Sequence, residues 1–207
     1  MVGVLALQGD FREHLSILKK LGVDAKEIRT KEELSLVDGL IIPGGESTVI
    51  NKLMRRHGLA EELVRKAQRG FPILGTCAGA IVISKEILGD PQVPLGLLDI
   101  SVKRNAYGPQ IESFEDDVEA KGIGKVRGCF IRAPIITRVG KRVDVLAKHQ
   151  GNPVLFRQGN ILASTFHPEI AGETRIHKLF LEMIKTRREK VQEPVSSTPP
   201  SHRSRHP

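Results

Sequence analysis

The 207-residue chain has no tryptophan, one tyrosine and two cysteines, Cys77 and Cys129. Two cysteines do not make the disulfide framework of a small secreted domain, so an apolar core must hold the fold and a reducing, cytoplasmic setting is expected. The scarcity of tyrosine and tryptophan removes the platforms on which nucleic-acid bases stack. No uninterrupted apolar run approaches the roughly 20 residues that span a bilayer. The N-terminus, "MVGVLALQGD", enters an apolar segment with no basic leader before it. The formal net charge is +8, and a basic surface can attract nucleic acid or anionic membranes. Here, however, the lysines and arginines alternate with acids, as in "KEELSLVD" and "RRHGLAEELVRK", which is the pattern of solvated helix faces. Neither a nucleic-acid nor a membrane partner is expected.

What is present is an alternation of strand and helix. Residues 2–7, "VGVLAL", form a continuous apolar run, the mark of a strand buried on both faces. A helix follows, with Phe11, Leu15, Leu18 and Leu21 on one face, Asp10 as its N-cap and Gly22 as its stop. "DAKEIR" reads as a second strand, and Thr30 caps a short helix, "KEELSLV". "GLIIPGG" is a third strand ending in a glycine turn. Helices over 47–57 and 59–69 precede a fourth strand, "PILG", which ends at Cys77. This order predicts a single α/β domain over residues 1–188, with a mostly parallel central sheet and flanking helices. From residue 98 short β-rich segments separated by turns predict an antiparallel extension of the sheet. A last amphipathic helix carries Ile176, Leu179, Phe180, Met183 and Ile184 on its apolar face. Residues 189–207 are polar and proline-rich and read as a disordered tail.

In such sheets ligands bind beyond the carboxyl ends of the strands. Three strand ends carry unusual residues: Gln8-Gly9, "PGGES" (43–47) and "GTCAG" (75–79). "GTCAG" has the frame of the G-x-S-x-G elbow, in which a nucleophile sits on a tight strand-to-helix turn. The helix N-terminus favours a thiolate there. A lone G-x-C-x-G does not separate a nucleophile from a buried structural cysteine. "FHPE" does, because His167 and Glu169, two apart at the end of an apolar run, can serve as base and orienter for Cys77. The paired glycines of "PGGES" can aim a backbone N–H at a developing oxyanion, and the expected hole is the N–H of Gly45 with that of Ala78. Cys129, with no histidine-containing motif near it in sequence, reads as structural. No metal-ligand spacing and no phosphate-binding glycine loop occur, so neither a metal nor a cofactor is expected.

"GTCAG" with "HPE" resembles the class I glutamine amidotransferases. "GVLALQGDFREH", "LIIPGGESTVI", "SVKRNAYGPQIESFE", "FIRAPII" and "TFHPEI" are similar to one branch, the glutaminase subunits of pyridoxal 5′-phosphate synthase, over about residues 1–188. The resemblance implies hydrolysis of L-glutamine to glutamate and ammonia by Cys77, His167 and Glu169, through a γ-glutamyl thioester. It also implies a substrate site lined by Gly45, Glu46, Ser47, Arg104, Ile131 and Arg132. Arg104 or Arg132 can supply the guanidinium fork that a carboxylate wants, and Glu46 or a backbone carbonyl can take the α-amino group. The implied partner is a separate (β/α)8-barrel synthase subunit in a large hetero-oligomer, docked over the site to receive the ammonia, with Gln8 and Gly9 reporting the docking. Pro109 departs from the branch pattern, which has a basic residue there. The rival expectations are the glutaminase of another synthase, such as imidazole glycerol phosphate synthase, a cysteine hydrolase of other specificity on the same frame, and a non-enzymatic binding subunit.

Overall fold

The computed structural model describes residues 1–104 and 113–192. Most of the "RNAYGPQ" segment, Pro109 included, and residues 193–207 lie outside the described residues. The chain runs β1 (Val2–Leu5), α1 (Phe11–Lys20), β2 (Ala25–Ile28), α2 (Lys31–Ser35), β3 (Leu40–Ile42), α3 (Ser47–Arg56), α4 (Leu59–Gln68), β4 (Ile73–Thr76), α5 (Ala78–Ile83), β5 (Ser84–Ile87) and β6 (Leu98–Lys103). It continues through β7 (Phe114–Ala120), β8 (Gly124–Phe130), β9 (Ile135–Val139), β10 (Asp144–His149), β11 (Asn152–Gln158), β12 (Ile161–Ser164) and α6 (Arg175–Gln192).

Nine strands form one sheet in the order β2-β1-β3-β4-β12-β11-β10-β7-β8. β2, β1, β3, β4 and β12 are parallel, and the rest join antiparallel. Alternate side chains of the parallel strands enter opposite cores. Leu5, Ile42 and Ile73 pack with Ile50, Met54 and Leu63 of α3 and α4. Val4, Ile41 and Leu74 pack with Leu18 of α1 and Phe180 and Ile184 of α6. Each such fully buried side chain contributes about 1.5–3 kcal/mol, and covering both faces explains why these strands read as unbroken apolar runs.

The structure corrects the sequence reading in four places. The segments after residue 98 do not all extend the main sheet: β6 and β9 pair with β5 in a separate three-stranded sheet. Ile100, Val102 and Ile136 of that sheet bury against the α3–α5 side of the core, which is what draws it away. β12 returns parallel to β4, at the centre of the molecule. The buried stripe of α1 is His14, Ile17 and Leu18, with Phe11 and Leu15 only half-buried. Finally, α6 runs to Gln192, past the expected boundary at 188, and ends four residues into the proposed tail.

Candidate active site

The elbow follows directly from the strand order. β4 ends at Thr76, and Cys77 adopts φ 46° and ψ −102° before α5 begins. A non-glycine residue held there costs of order 1–3 kcal/mol and persists only where its surroundings impose it. They do: the Cys77 N–H donates to the Ser164 carbonyl at 2.9 Å, and the Cys77 carbonyl accepts from the Ile81 N–H at 3.2 Å. The glycine frame is steric. A Cβ on Gly79 would lie 2.1 Å from the Ile42 carbonyl oxygen, so α5 can rest on β3 only with hydrogen at that position. Cys77 is 7% exposed, and its Sγ is 3.7 Å from the Ile131 carbonyl oxygen.

Pairing of β12 with β4 sets Ser164 opposite Thr76, so three residues later the chain arrives beside Cys77. An antiparallel bridge pins it there: the His167 N–H donates to the Cys129 carbonyl at 2.8 Å and the Cys129 N–H to the His167 carbonyl at 3.3 Å. Cys129 thus serves the site through its backbone, while burial pushes its thiol pKa up. His167 Nδ1 lies 2.8 Å from Glu169 Oε1, which leaves the other ring nitrogen available to Cys77, one of the two groups that raise the His167 pKa. Burial alone would lower the His167 pKa, but the contacts with Cys77 and Glu169 outweigh it and raise it from 6.5. Burial alone would likewise raise that of Glu169, yet His14 and His167 hold it well below the usual carboxylate range.

The glycine turn after β3 lies against this pair. A Cβ on Gly44 would sit 2.1 Å from His167 Cε1. Gly45 has φ 143°. The first strand-end loop holds the turn from its other side: the Asp10 N–H donates to the Gly44 carbonyl at 3.0 Å, and Gln8 Oε1 accepts from the Glu46 N–H at 2.8 Å. The three strand ends that carry Gln8 and Gly9, Gly45 and Cys77 therefore meet at one sheet edge as expected, and the parallel pairing of β12 with β4 adds His167 to them.

Around the mouth, Ser47 is buried and Glu46 exposed. The Arg104 guanidinium is already engaged, with Nη2 at 2.8 Å from Glu46 Oε1 and Nη1 at 2.7 Å from Asp90 Oδ2. Arg132, next to Ile131, is exposed and has φ 47°.

Four residues at the site were not singled out by sequence. Asp10 occupies the N-cap position of α1 but makes no capping bond; its Oδ2 instead lies 3.4 Å from His167 Nδ1. Thr76, His14 and His177 pack behind Glu169. The missed signal was positional: His14 follows Phe11 by three and precedes Leu18 by four, while His177 precedes Phe180 by three, so both are polar residues on core-facing stripes. Asp10, His167 and Glu169 also bring donor atoms within 4.8 Å of one another. The 2.8 Å contact among them is that of an N–H donor on a carboxylate, so the group reads as a histidine between two acids rather than as metal ligands.

A cysteine elbow, a buried His–Glu pair and a glycine turn at one sheet edge suit acyl transfer, and comparison with known proteins agrees. Residues 4–186 match the SNO glutamine amidotransferase family. The chain is 52% identical over 185 residues to the pyridoxal 5′-phosphate synthase subunit PdxT of Thermosipho africanus, covering 89% of this chain and 98% of that protein. It is 54% identical over 185 residues to the PdxT subunit of Thermus thermophilus, covering 88% and 97%. A crystal structure of a glutamine amidotransferase superposes with a TM-score of 0.86 at 53% identity, covering 89% of this chain and 98% of that one. The overall fold is thus shared with that structure, and the chain belongs to the SNO glutamine amidotransferase family.

Proposed function

We propose that this chain is the glutaminase subunit of pyridoxal 5′-phosphate synthase, hydrolysing L-glutamine to glutamate and ammonia for a separate synthase subunit. The observation that carries the reading is the strained Cys77 elbow beside the 2.8 Å His167–Glu169 pair. Family membership and relatives at 52% and 54% identity, matched over nearly their whole length, support it.

In this reading the thiol proton of Cys77 passes to His167, and Sγ adds to the side-chain carboxamide carbon. The oxyanion so formed takes hydrogen bonds from the Gly45 and Ala78 N–H groups, each worth about 3–4 kcal/mol of barrier. Collapse breaks the C–N bond as His167 returns the proton to the departing nitrogen, leaving a γ-glutamyl thioester and ammonia. Water, deprotonated by His167, then cleaves the thioester to glutamate and restores the thiol. Glu169 holds the ring and stabilises its positive charge throughout.

Gly45, Glu46, Ser47, Arg104, Ile131 and Arg132 bind the substrate. The Arg104–Glu46 pair at the mouth offers one cation and one anion, complementary to the α-carboxylate and α-amino groups of glutamine. Because each already neutralises the other, the amino acid enters by replacing that contact.

The barrel partner docks over the strand ends and collects the ammonia before water protonates and dilutes it. Gln8 and Gly9 transmit the docking. Gln8 Oε1 and the Asp10 N–H hold the two ends of the Gly44–Gly45–Glu46 stretch, so a partner that moves this loop can turn the Gly45 peptide into the oxyanion hole. The test is glutamate release from L-glutamine by the chain alone and with the synthase barrel subunit, with Cys77→Ala as blank. Strong activation, abolished in Cys77→Ala, is expected. Full activity without the partner would keep the chemistry and remove the gating. No turnover in either case would reject the glutaminase reading.

A further inference from the structure

Behind the triad runs a second line of buried polar groups. Glu169 is fully enclosed and carries His167 on one side. A buried carboxylate is costly unless its lone pairs are met, and Glu169 Oε2 has no hydrogen-bond partner among the described residues. On the side away from His167, Thr76 Oγ1 lies 3.4 Å from Glu169 Oε1. His14 Nε2 lies 3.2 Å from Thr76 Oγ1 and 3.5 Å from Glu169 Oε1. His14 Nδ1 is in turn 2.8 Å from His177 Nε2. Both histidines are completely buried. The line crosses α1, β4 and α6, three elements that share nothing else polar at this depth among the described residues.

The direction of the hydrogen bonds follows from counting protons. A neutral imidazole has one donor and one acceptor. His177 Nδ1 has no partner of hydrogen-bond geometry among the described residues, and a buried lone pair is less costly there than a buried N–H. The His177 proton therefore belongs on Nε2, donating to His14 Nδ1. That leaves the His14 proton on Nε2, donating to Thr76 Oγ1, whose hydroxyl donates to Glu169 Oε1. Were the His177 proton on Nδ1 instead, towards the Glu173 carbonyl one turn back, a neutral His14 would carry its proton on Nδ1 and accept from the Thr76 hydroxyl at Nε2, which would turn that hydroxyl from Glu169 and leave a bare Nε2 3.5 Å from the carboxylate. The first arrangement meets the buried acid with donors and is the less costly one.

Resting on the glutaminase reading above, we infer that His14, supported by His177 and acting through Thr76, is a positioning residue for glutamine hydrolysis: it holds Glu169 ionised and aimed at His167 Nδ1. Without it only the Thr76 hydroxyl, no longer oriented by a donor on its own oxygen, meets that side of Glu169, and the carboxylate can take a proton or rotate from the ring. The groups that face His14 are Thr76, Glu169 and His177, with Asp10 and His167 beyond.

The test uses the full chain with its barrel partner and compares His14→Leu, His14→Gln, Thr76→Val and Thr76→Ser. Turnover is counted per active site by alkylation of Cys77, so loss of folded protein does not register. His14→Leu and Thr76→Val are expected to lower kcat by about tenfold or more, a typical cost of a mispositioned group, with KM within about twofold. The acid limb of the kcat–pH profile is expected to move to higher pH. His14→Gln, which keeps a donor, and Thr76→Ser, which keeps the hydroxyl, recover most of the loss. In the free subunit the deshielded His167 Nδ1 proton shifts upfield in His14→Leu, a readout that needs no turnover. An unchanged kcat per active site, pH limb and proton resonance in His14→Leu and Thr76→Val would overturn the inference and leave the line as packing. Absence of glutamate release by the unmodified complex would reject the glutaminase reading instead, and the proton resonance would still decide the positioning.

Discussion

Two glycines at the site are constrained by different neighbours, and the difference can be measured. A methyl at Gly79 meets the backbone of Ile42, whereas a methyl at Gly44 meets the ring of His167. A strand backbone cannot yield, so Gly79→Ala is expected to destabilise the protein by about 1–3 kcal/mol, the usual cost of overpacking, as read by urea unfolding. Gly44→Ala is expected to leave the melting curve much closer to normal and to abolish glutamate release, because the imidazole can swing away and lose Glu169 and Cys77. Glu169→Gln keeps the shape of the side chain and removes its charge. Its partner-stimulated kcat should fall by roughly 10²- to 10⁴-fold. At Cys129 burial raises the thiol pKa, so a glutamine-like alkylating agent should label Cys77 and spare Cys129, which peptide mass mapping would show.

At the scale of elements, the contact between α1 and α6 carries a pH dependence. Burial, with the neighbouring His14, holds the His177 pKa down at about 3 against an ordinary 6.5. Between those values the unfolded chain binds a proton that the folded one does not. Stability from His177 is therefore complete above about 6.5 and drains as the pH falls towards 3. Glu169, depressed below its ordinary 4.5, adds a loss of the same sign at lower pH, as the pH falls through its folded value. His167 acts oppositely: raised above 6.5, its contribution is present below that value and lost as the pH rises through the folded one. The urea midpoint should fall on acidification from about pH 6.5, and His177→Gln should flatten the part above 4.5, where Glu169 does not yet contribute. A control comes from α2, where Thr30 and Glu33 form a capping box remote from the site. Thr30→Ala should cost about 1 kcal/mol and leave turnover per active site unchanged.

At the scale of the whole molecule, the proposed site lies at one edge of the nine-stranded sheet, and no described helix is long and apolar enough to cross a membrane. The family match ends at residue 186 and α6 at Gln192. Deletion of residues 193–207 is therefore expected to leave both the melting temperature and partner-stimulated glutamate release within experimental scatter. Loss of activation with intact folding would assign those residues to the docking surface.

Runs of apolar residues made the parallel strands readable from sequence, because a strand covered on both faces needs apolar side chains at every position. The spacing within "GTCAG", "PGGES" and "HPE" made the proposed reacting groups readable as well, since elbow, glycine turn and His–Glu pair are each local in the chain. The destination of β12 was not local: residues 161–164 read as one more antiparallel segment, and only their hydrogen bonds to β4 carry His167 to Cys77. Likewise, β5, β6 and β9 left the main sheet because of what they bury, which a strand pattern alone does not encode. His14, Thr76 and His177 come from three elements 62 or more residues apart from one pair to the next or across the line, and each looks unremarkable among its neighbours in sequence. The sequence by itself determined the fold class and singled out Cys77, His167 and Glu169 as the proposed nucleophile, base and acid, because local periodicity and local chemistry dictate those choices. The tertiary structure alone decided what stands behind the acid, because burial and hydrogen-bond partners arise only when distant segments pack.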